Sequence, residues 1–533
     1  MKIKLLCLED GIISYGFRKM VSYVKSFNPD TQCYYVSTNV NRSMRSMIFN
    51  TYGGSASKHD VEVIATELAD ADVIGFSSMT GYADLTKEII ARVRKKSSGA
   101  FLVWGGIHPI IYPEDAIHSQ VNAICTGEGE FGFRELIVAL EGGLATDSIL
   151  NYWFKTTKGI VKNGFRPLMT NEQMESMPFP EYAGKEFIYR AKKGFVPIRA
   201  KDYLDSSGLA YLTLWTIGCP FHCTYCGNSK FIANDKNYKK IRHPSARYII
   251  DEVKHARALH PFISSVSFHD DSFMALDLET IQEFAQLWRE QIGLPFAVYG
   301  VIPNYARQDK FEVLTWAGMN RIRMGIQSGS RRILDFYRRP TSIEQIEKAA
   351  AMVAQFRKYH LPPYYDIIVD NPIETRQDVI DTLELLYRLP RPYFLFVFSL
   401  KIIPNTELER LFRQQGVELE NINKYYLILA PTFANTLVYM LTFYKPSRPR
   451  FEKLLQKVKP AREAQEQYRF RIFIMHFFYL CNIGITHLKS MDFSVIPGVW
   501  GYIFWKLGII RFWRRYLLPK YQAVIPMPAR RMR

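Results

Sequence analysis

Short apolar runs alternate with longer amphipathic runs in two parts of the chain, and this alternation predicts two α/β regions. In residues 1–145 the apolar runs KIKLLCL, DVIGFSSM, AFLVWGG and VNAICTGEGE have the length of strands buried on both faces. The intervening stretch YADLTKEIIARVRKK repeats apolar residues at helical spacing. We therefore predict a Rossmann-like parallel sheet, with its ligand crevice at the small residues that end each strand.

The second region covers residues 206–410 and contains six strand-plus-helix units. Its apolar runs are LAYLTLWT, SSVSFHDDSF, FAVYGVIPN, RIRMGIQSGS, YYDIIVDNP and YFLFVFSLKIIP. Amphipathic stretches such as IEQIEKAAAMVAQFRKY separate them. This pattern predicts a partial (β/α)6 barrel with its chemistry at the carboxyl ends of the strands. Residues 146–205, with weak periodicity and the turn-rich MPFPEY, are predicted to be a linker.

Residues 411–533 are predicted to form a mainly helical C-terminal region that is basic and rich in aromatic residues. The chain of 533 residues has a net charge of +18, and residues 445–533 hold 18 Lys and Arg against 4 Asp and Glu. Such a region indicates nucleic acid or a membrane surface, and its apolar content favours the membrane. None of its apolar runs is a clean span of twenty residues.

The last apolar run, VIPGVWGYIFWKLGIIRFWRRYLLP, predicts a helix that lies in the membrane interface. Its basic residues are expected near lipid phosphates and its tryptophans at the headgroup boundary: Lys506, Arg511, Arg514 and Arg515, with Trp500, Trp505 and Trp513. The alternative is ordinary helical packing in a C-terminal domain.

Cysteine usage indicates a reducing compartment. Four of the seven cysteines, Cys7, Cys33, Cys125 and Cys481, are scattered singly, which is not a disulfide framework. The N-terminal MKIKLLCLEDG has too short an apolar run for a signal peptide. We therefore expect a cytoplasmic protein, placed peripherally on the inner face of the cytoplasmic membrane if the C-terminal region binds lipid.

The other three cysteines, Cys219, Cys223 and Cys226, lie within the loop LWTIGCPFHCTYCGNSK after the first barrel strand. As an alternative to chemistry, buried cysteines behave as small hydrophobes. A structural zinc site would need a fourth ligand. Iron–sulfur clusters are commonly held by four thiolates, so three would leave one iron of a four-iron cluster open to a substrate or cosubstrate.

The spacing Cys-x3-Cys-x-aromatic-Cys, with Tyr225 in the aromatic place, resembles the signature of the radical S-adenosylmethionine (radical SAM) enzymes. The resemblance implies a 4Fe-4S cluster whose open iron is chelated by the amine and carboxylate of S-adenosylmethionine. It also implies reductive cleavage to a 5′-deoxyadenosyl radical that abstracts hydrogen from an unactivated carbon. A low-potential electron donor of the flavodoxin or ferredoxin type is then expected.

The resemblance extends along the barrel and implies a set of residues that bind S-adenosylmethionine. Two acids stand where the family has its Gly-Gly-Glu motif, and the fourth-strand segment RMGIQSGSRRILDFYRR also resembles the family. The implied set is Tyr225, Asp270, Asp271, Arg323, Gln327, Ser328 and Arg338. Alternatively, Asp270 caps a helix and the arginines are solvated. Asp370 and Asn371 stand where a Gly pair is usual, which puts the adenine contacts in doubt.

The N-terminal region resembles the cobalamin-binding domain that precedes many radical SAM barrels. Hydroxyls end one strand, and glycines at the next two would let backbone approach a large planar ring. The implied cobalamin-binding residues are Ser77, Ser78, Thr80, Gly105, Gly106, Gly127, Glu128 and Gly129. No Asp-x-His-x-x-Gly supplies an axial imidazole, and His108 is interpreted as a hydrogen-bonding loop residue. The alternative is a degenerate Rossmann-like domain without a cofactor.

These features favour a cobalamin-dependent radical SAM enzyme that methylates carbon in a hydrophobic or lipid-like substrate. A first alternative is radical cyclisation, C–C coupling or oxidation of a lipid or tetrapyrrole. A second is an RNA-modifying radical SAM enzyme, which GIQSGS and the basic charge suggest, although the further three-cysteine cluster of tRNA methylthiotransferases is absent. A third, non-enzymatic alternative is a scaffold protein that holds zinc or a cluster at a membrane.

Overall fold

The computed structural model describes residues 1–9, 11–37, 56–180, 182, 184–418, 429–489 and 498–517. Within these, two β-sheets and a helical C-terminal region confirm the predicted α/β fold class. The end of the basic aromatic region, residues 518–533, lies outside the described residues.

The N-terminal sheet has nine strands in the order β7-β6-β5-β4-β3-β1-β2-β8-β9, and its centre is parallel. The strands are β1 (Ile3–Glu9), β2 (Gln32–Ser37), β3 (Val73–Ser78), β4 (Phe101–Gly105), β5 (Ala123–Cys125), β6 (Tyr152–Thr156), β7 (Gly159–Lys162), β8 (Glu186–Arg190) and β9 (Gly194–Pro197). Its helices are α1 (Tyr15–Phe27), α2 (Lys58–Leu68), α3 (Ala83–Lys96), α4 (Ile107–Ile111), α5 (Pro113–Ile117), α6 (Glu130–Glu141), α7 (Asn171–Glu175) and α8 (Ala200–Ser207).

Residues 146–205 are more than the linker expected from their weak periodicity. They supply β6 and β7 to one edge of the N-terminal sheet and β8 and β9 to the other. Strand β8 pairs in parallel with β2, whereas β6 pairs antiparallel with β5. Short edge strands of this kind carry no long apolar run, because only part of each strand is buried.

The second sheet is an open half-barrel of six parallel strands that pair in sequence order. The strands are β10 (Ala210–Thr213), β11 (Ser265–Phe268), β12 (Phe296–Val301), β13 (Met319–Gln327), β14 (Tyr364–Val369) and β15 (Phe394–Ser399). The helices between and after them are α9 (Asn228–Asn234), α10 (Ala246–Leu259), α11 (Leu278–Gln291), α12 (Gln308–Ala317), α13 (Arg331–Phe336), α14 (Ile343–Gln355), α15 (Arg376–Arg388) and α16 (Glu407–Gln414).

One apolar core joins the two sheets. On β1, Leu5 and Cys7 belong to a core that continues into the half-barrel, whereas Leu6 and Leu8 belong to a separate core on the other face. The buried carboxylate of Glu252 on α10 accepts hydrogen bonds across the same junction, from Tyr15 on α1 and from Tyr211 and Thr213 on β10. The sheets are therefore packed together through a continuous interior.

The C-terminal helices pack against the β15 edge of the half-barrel and against segments that precede β10 and β11. They are α17 (Phe433–Phe443), α18 (Arg448–Leu455), α19 (Arg469–Lys489), α20 (Gly498–Lys506) and α21 (Ile509–Phe512), followed by a π-helical turn over Trp513–Leu517. On α19, the Tyr479 hydroxyl donates to the Leu395 carbonyl of β15 at 2.5 Å. Helix α20 contacts α8, and its Trp505 ring meets Phe262, which precedes β11.

This packing corrects two expectations about the tail. Trp505 and Trp513 rest on the protein, and Arg514 donates to the Pro261 carbonyl, so of the three tryptophans only Trp500 is largely exposed. The run within 469–489, expected to fall short of a clean span, forms one helix of 21 residues. By length and composition that helix could cross a membrane, and 17% of its apolar window is buried.

Candidate active site

The cysteine loop lies at the carboxyl end of β10 and leads into α9. It is held by a backbone bridge between Ile217 and Arg242, and the Cys219 amide donates to the Tyr238 carbonyl at 3.1 Å. Gly218 has a φ of +118°, and a Cβ there would lie 2.3 Å from the Lys240 carbonyl oxygen. Only glycine fits this crossing, so the loop path is fixed before the first cysteine.

The three thiols share one partly buried environment. Cys223 is buried, while Cys219 and Cys226 are partly exposed. Ser272 Oγ donates to Cys219 Sγ at 3.5 Å. Burial raises the pKa of Cys226 to about 12 and raises the pKa of Cys219 as well. The free thiols of Cys219 and Cys226 are therefore neutral, and a bound metal would be needed to make them thiolates.

The donor set fits a cluster better than a single ion. Among the described residues, no three His, Cys, Asp or Glu side chains converge on one metal position. A four-iron cluster does not need such convergence, because each thiolate binds a different iron. Three soft donors on one loop would hold that cluster through Cys219, Cys223 and Cys226.

Arg339 is a site residue that the sequence did not single out. It is buried, its Nη1 donates to Cys223 Sγ at 3.8 Å, and its Nη2 donates to the Gly325 carbonyl at 2.7 Å. Its Nε has no hydrogen-bond partner among the described residues. A cation here lies beside a cysteine and the fourth strand. The sequence signal was weak, because YRRP contains two adjacent arginines and only the structure shows which of them reaches the cysteine loop.

The neighbouring Arg338 lies away from the cysteines. Its φ is +50°, and its guanidinium forms a two-pronged ion pair with Glu407 at the surface. Of the two arginines, the structure therefore brings Arg339, and not Arg338, to the cysteine loop.

The two acids after β11 have different surroundings. Asp270 is buried and accepts from the backbone amides of Trp215 and Thr216 at the start of the cysteine loop, the latter at 2.5 Å. Burial raises its pKa to about 7. Asp271 is exposed, and it lies close enough to Cys226 to raise the pKa of that thiol. Asp270 thus braces the loop, and Asp271 faces the opening.

The polar residues of β13 and the following turn are also divided. Gln327 has a φ of +64° and is mostly buried near Gly325. The Ser328 hydroxyl is in a hydrogen bond with Thr382 at 3.1 Å, which turns it into the helix layer. Arg323 Nε donates to Asp366 inside the barrel, below the rim. Tyr225 packs edge-on against Tyr337.

A cleft of about 420 Å³ lies between the N-terminal sheet and the cysteine loop. Six of the predicted cobalamin-binding residues line it: Ser77, Gly105, Gly106, Gly127, Glu128 and Gly129. Ser78 does not, because its hydroxyl accepts from Trp104 Nε1 at 3.0 Å. Thr80 lies outside the lining, and its hydroxyl has no partner among the described residues.

Close approach of backbone defines one wall of the cleft. Gly106 has a φ of +87°, and a Cβ there would lie 2.8 Å from Ser77 Oγ. At Gly127 a Cβ would lie 2.7 Å from the Asn151 side chain. The remaining lining is mainly apolar, including Phe17 and Phe133. A shallow wall of backbone and apolar side chains suits a large planar ring such as cobalamin.

The opposite wall of the cleft belongs to the cysteine-loop region. Ile217, Phe231 and Tyr238 line it, so the cleft opens toward the residues that flank the three cysteines. Glu128 ties the walls together, since its carboxylate accepts from Arg242 Nη2 at 2.9 Å and from the Met169 amide at 2.7 Å. Residues that flank the cysteines therefore line the same cleft as the glycine-rich strand ends, although the three cysteines themselves do not line it.

His108 takes the hydrogen-bonding role that was interpreted from the sequence. Its Nε2 bonds to Asp115 at 2.9 Å, and its ring stacks on Trp104. It does not line the cleft. Sequence reasoning missed Asn151, Tyr152 and Phe165 as lining residues, because they come from the segment interpreted as a linker.

Two family models match the chain at these two sites. The radical SAM superfamily matches residues 213–386, and the B12 binding domain matches residues 36–137. Both cofactor assignments are therefore supported by the geometry and by the matches: a 4Fe-4S cluster with S-adenosylmethionine in the half-barrel, and cobalamin in the cleft.

The chain is also similar to curated proteins. It is 25% identical over 334 residues to an uncharacterised methyltransferase of Pyrococcus horikoshii, covering 62% of this chain and 67% of that one. It is 22% identical over 432 residues to the bacteriochlorophyllide d C-8(2)-methyltransferase of Chlorobaculum tepidum, covering 80% and 84%. It is 21% identical over 359 residues to the anaerobic magnesium-protoporphyrin IX monomethyl ester cyclase of a Synechocystis strain, covering 66% of each chain.

Solved structures share the fold. The cobalamin-dependent radical enzyme OxsB with aqua-cobalamin and S-adenosylmethionine superposes with a TM-score of 0.60 at 15% identity, covering 99% of this chain and 76% of that one. The methyltransferase TsrM of Kitasatospora setae with cobalamin and a 4Fe-4S cluster gives 0.58 at 16% identity, covering 78% of each.

Proposed function

Since the chain carries a B12-binding domain followed by a radical SAM domain, it is a radical SAM enzyme of the cobalamin-binding branch, and we propose that it transfers a methyl group to an unactivated carbon of a hydrophobic small molecule. Bound together, the cluster and S-adenosylmethionine supply a 5′-deoxyadenosyl radical, and cobalamin supplies a methyl group. The residues of this chain hold these groups and orient them.

The observation that carries the proposal is the shared cleft. The glycine-rich rim of the N-terminal sheet forms one wall, and residues beside the three cysteines form the other. A methyl carrier in this cleft would lie beside the loop that holds the radical source, and this proximity is required because the reacting groups must come within near-contact distance of one substrate.

The division of labour among the barrel residues follows from their surroundings. Asp270 accepts the amides of Trp215 and Thr216 and so fixes the start of the cysteine loop. Asp271 faces the opening and is proposed to accept from the ammonium of S-adenosylmethionine. Arg339, whose Nη1 donates to Cys223 Sγ and whose Nε has no partner among the described residues, is proposed to bind the carboxylate of the same molecule.

The first experiment compares lipid and pigment extracts by mass spectrometry from cells carrying the intact gene and cells carrying Cys223→Ala. A species heavier by one methyl group only with the intact gene is the expected result, and it identifies the substrate. A species that has lost hydrogen atoms, found only with the intact gene, would show that the reaction is radical cyclisation or oxidation and not methylation. A difference found in RNA alone would overturn the proposal of a hydrophobic substrate.

The electrons that reduce the cluster are proposed to come from a flavodoxin or ferredoxin.

The hydrophobic substrate is supported by an apolar surface on α19. Ile472, Tyr479 and His487 follow one face of the helix and are buried against the protein. The opposite face exposes large apolar side chains: Phe470, Phe477, Phe478, Leu480, Ile485 and Leu488. A helix that contacts the protein through three buried residues near its start, middle and end, with its outer face apolar, suits the plane of a membrane interface better than a crossing.

We therefore propose that the C-terminal helices bind the surface of an anionic membrane. Arg469, Arg471, Lys489 and Arg511 supply positive charge around the apolar face, and the described residues 469–489 and 498–517 contain no Asp or Glu. Each basic residue near an anionic surface adds roughly 1 kcal/mol. Trp500 and Phe512 extend the exposed apolar area beyond α19.

Vesicle sedimentation tests this placement. The native protein is expected to sediment with phosphatidylglycerol vesicles and much less with phosphatidylcholine vesicles. The triple change Phe470→Ser, Phe477→Ser and Leu480→Ser should abolish sedimentation. Val138→Ser with Leu144→Ser, which removes exposed apolar side chains from the N-terminal domain, is the matched control. Equal sedimentation of native and triple-variant protein would contradict the membrane surface.

A further inference from the structure

The interior of the half-barrel carries an ion pair between β13 and β14. Side chains alternate along β13, so Arg323 enters the barrel two residues before Gly325 while Ile322 and Met324 lie in the core. Arg323 Nε donates to Asp366 Oδ1 at 2.6 Å. Among the described residues this is the only hydrogen bond of the guanidinium, and 22% of the side chain is exposed. Its two terminal nitrogens thus remain available to a ligand.

Aromatic rings surround the guanidinium. Its central carbon lies 4.2 Å from the ring centroid of Phe396, 5.4 Å from that of Phe398 and 5.8 Å from that of Tyr299. Phe396 and Phe398 are 37% and 43% exposed, although they sit in a strand of the barrel. Large apolar side chains facing open space beside a few polar groups are typical of a small-molecule site.

The charges within this ion pair balance, and the further cation that acts on Asp366, Arg339, is the one proposed to bind the carboxylate of S-adenosylmethionine. Asp366 offsets Arg323, and burial, which raises the pKa of Asp366, is opposed by the arginine. His269 meets Tyr299 edge-on, and burial together with Arg323 lowers its pKa to about 4, so it is neutral at pH 7. A carboxylate ligand would approach Asp366 as closely as Arg323 and would be repelled by it. An uncharged oxygen accepts from Arg323 without that repulsion.

We propose that Arg323, Asp366, Tyr299, Phe396 and Phe398 form a substrate site, the barrel pocket, which selects an apolar molecule by one uncharged oxygen such as a ketone, ester or hydroxyl. The inference rests on the proposed function, because it places the methyl-accepting molecule inside the barrel next to the radical source. It assigns Arg323 to the substrate, in place of the contact with S-adenosylmethionine that the family resemblance implied.

Equilibrium dialysis with two matched probes tests the barrel pocket. One probe is prodan, an uncharged aromatic ketone, and the other is the dimethylamino-naphthoate with the same rings and a carboxylate. With the protein loaded with the cluster, cobalamin and S-adenosylmethionine, whose carboxylate occupies Arg339, prodan is expected to bind more tightly than the naphthoate. Arg323→Met should weaken prodan binding about tenfold, the usual effect of losing a hydrogen bond from a charged donor.

Two further variants keep the test decisive. Phe398→Ala removes an aromatic wall without touching the ion pair and should also weaken prodan binding. Arg388→Met breaks an arginine pair with Glu347 on the outer helices and should leave binding unchanged. Unchanged prodan binding in both Arg323→Met and Phe398→Ala, or naphthoate binding as tight as prodan, would overturn the barrel pocket.

Failure of the proposed function would be seen separately. Dialysis needs no turnover, whereas formation of 5′-deoxyadenosine by the reduced native protein tests the radical chemistry. Native protein that forms deoxyadenosine but whose prodan binding ignores Arg323 would refute the barrel pocket alone. Native protein that binds prodan through Arg323 but forms no deoxyadenosine would refute the proposed function alone.

Discussion

The two sheets present ligands at the same place, the carboxyl ends of parallel strands, but they build that place differently. At the carboxyl edge of the N-terminal sheet, the N-terminal rim, key positions are glycines. At Gly106 and Gly127 a Cβ would collide with neighbouring atoms. At the carboxyl edge of the half-barrel, the half-barrel rim, polar side chains are held by hydrogen bonds within the protein. Asp270 accepts from the loop amides, and Ser328 bonds to Thr382.

The difference reflects the size of the two ligands. A large planar ring gains most from broad contact with backbone and apolar walls, so its site is cleared of side chains. A cluster with a small cosubstrate needs a few groups held at fixed positions, and these are braced by buried hydrogen bonds. Four sets of variants test this contrast, and their expected effects run from complete loss down to about threefold.

Loss of one cysteine should remove the function of the half-barrel rim altogether. Cys223→Ala leaves two thiols, too few to hold a cluster with one open iron, so 5′-deoxyadenosine formation should fall below detection. Cys481→Ala, on α19, should retain it. The assay is anaerobic incubation with dithionite and S-adenosylmethionine, followed by chromatography. Deoxyadenosine from the Cys223 variant would contradict the cluster assignment.

Adding a single methyl group at the N-terminal rim should weaken cobalamin binding without affecting the half-barrel. Gly106→Ala places a Cβ 2.8 Å from Ser77 Oγ, and bound cobalamin should fall about tenfold, equivalent to about 1.4 kcal/mol. Gly143→Ala has a similar positive φ of +63° but open space around it, so it controls for backbone strain. Cobalamin content is read from the absorption spectrum, and equal loss in both variants would refute the glycine wall.

Substituting the two acids one at a time should distinguish a residue that binds S-adenosylmethionine from one that stabilises the cysteine loop. Asp271→Asn should raise the dissociation constant of S-adenosylmethionine about tenfold, because a charged hydrogen bond is lost, and should leave the iron content intact. Asp270→Ala removes the acceptor of the Trp215 and Thr216 amides and should lower the iron content instead. Calorimetry and iron analysis distinguish them; the reverse pattern would assign Asp270 to the cosubstrate.

The smallest effect on cobalamin binding is expected for the ion pair that connects the two walls of the cleft. Glu128 and Arg242 form a partly exposed pair across the cleft, and such pairs contribute at most about 1 kcal/mol. Glu128→Gln and Arg242→Met should each weaken cobalamin binding by about threefold, and the double variant should be no worse than either. Fully additive losses would show that the two residues act independently.

The sequence predicted most of what depends on local pattern. The buried strands of both sheets and the cysteine loop follow from apolar runs and residue spacing, and the fold class is confirmed. The cleft-lining glycines were also found, because a glycine at the end of a buried strand lets a ligand come close to the backbone.

What the sequence could not supply is the direction of each polar side chain. Ser77 lines the cleft and Ser78 does not, although they are adjacent, since successive side chains on a strand face opposite sides. Arg338 and Arg339, adjacent in the loop after α13, also point apart, and only Arg339 reaches the cysteines. The edge strands of residues 146–205 were missed because their burial is partial.

The continuous core between the sheets has a kinetic consequence. Leu5 and Cys7 share one interior with the half-barrel, so the spacing between cleft and cysteine loop is fixed by packing and not by a hinge. A closely packed core resists gradual deformation, unlike domains that close about a flexible hinge. Turnover should then respond weakly to solvent viscosity, because no large body has to be dragged through water in each cycle.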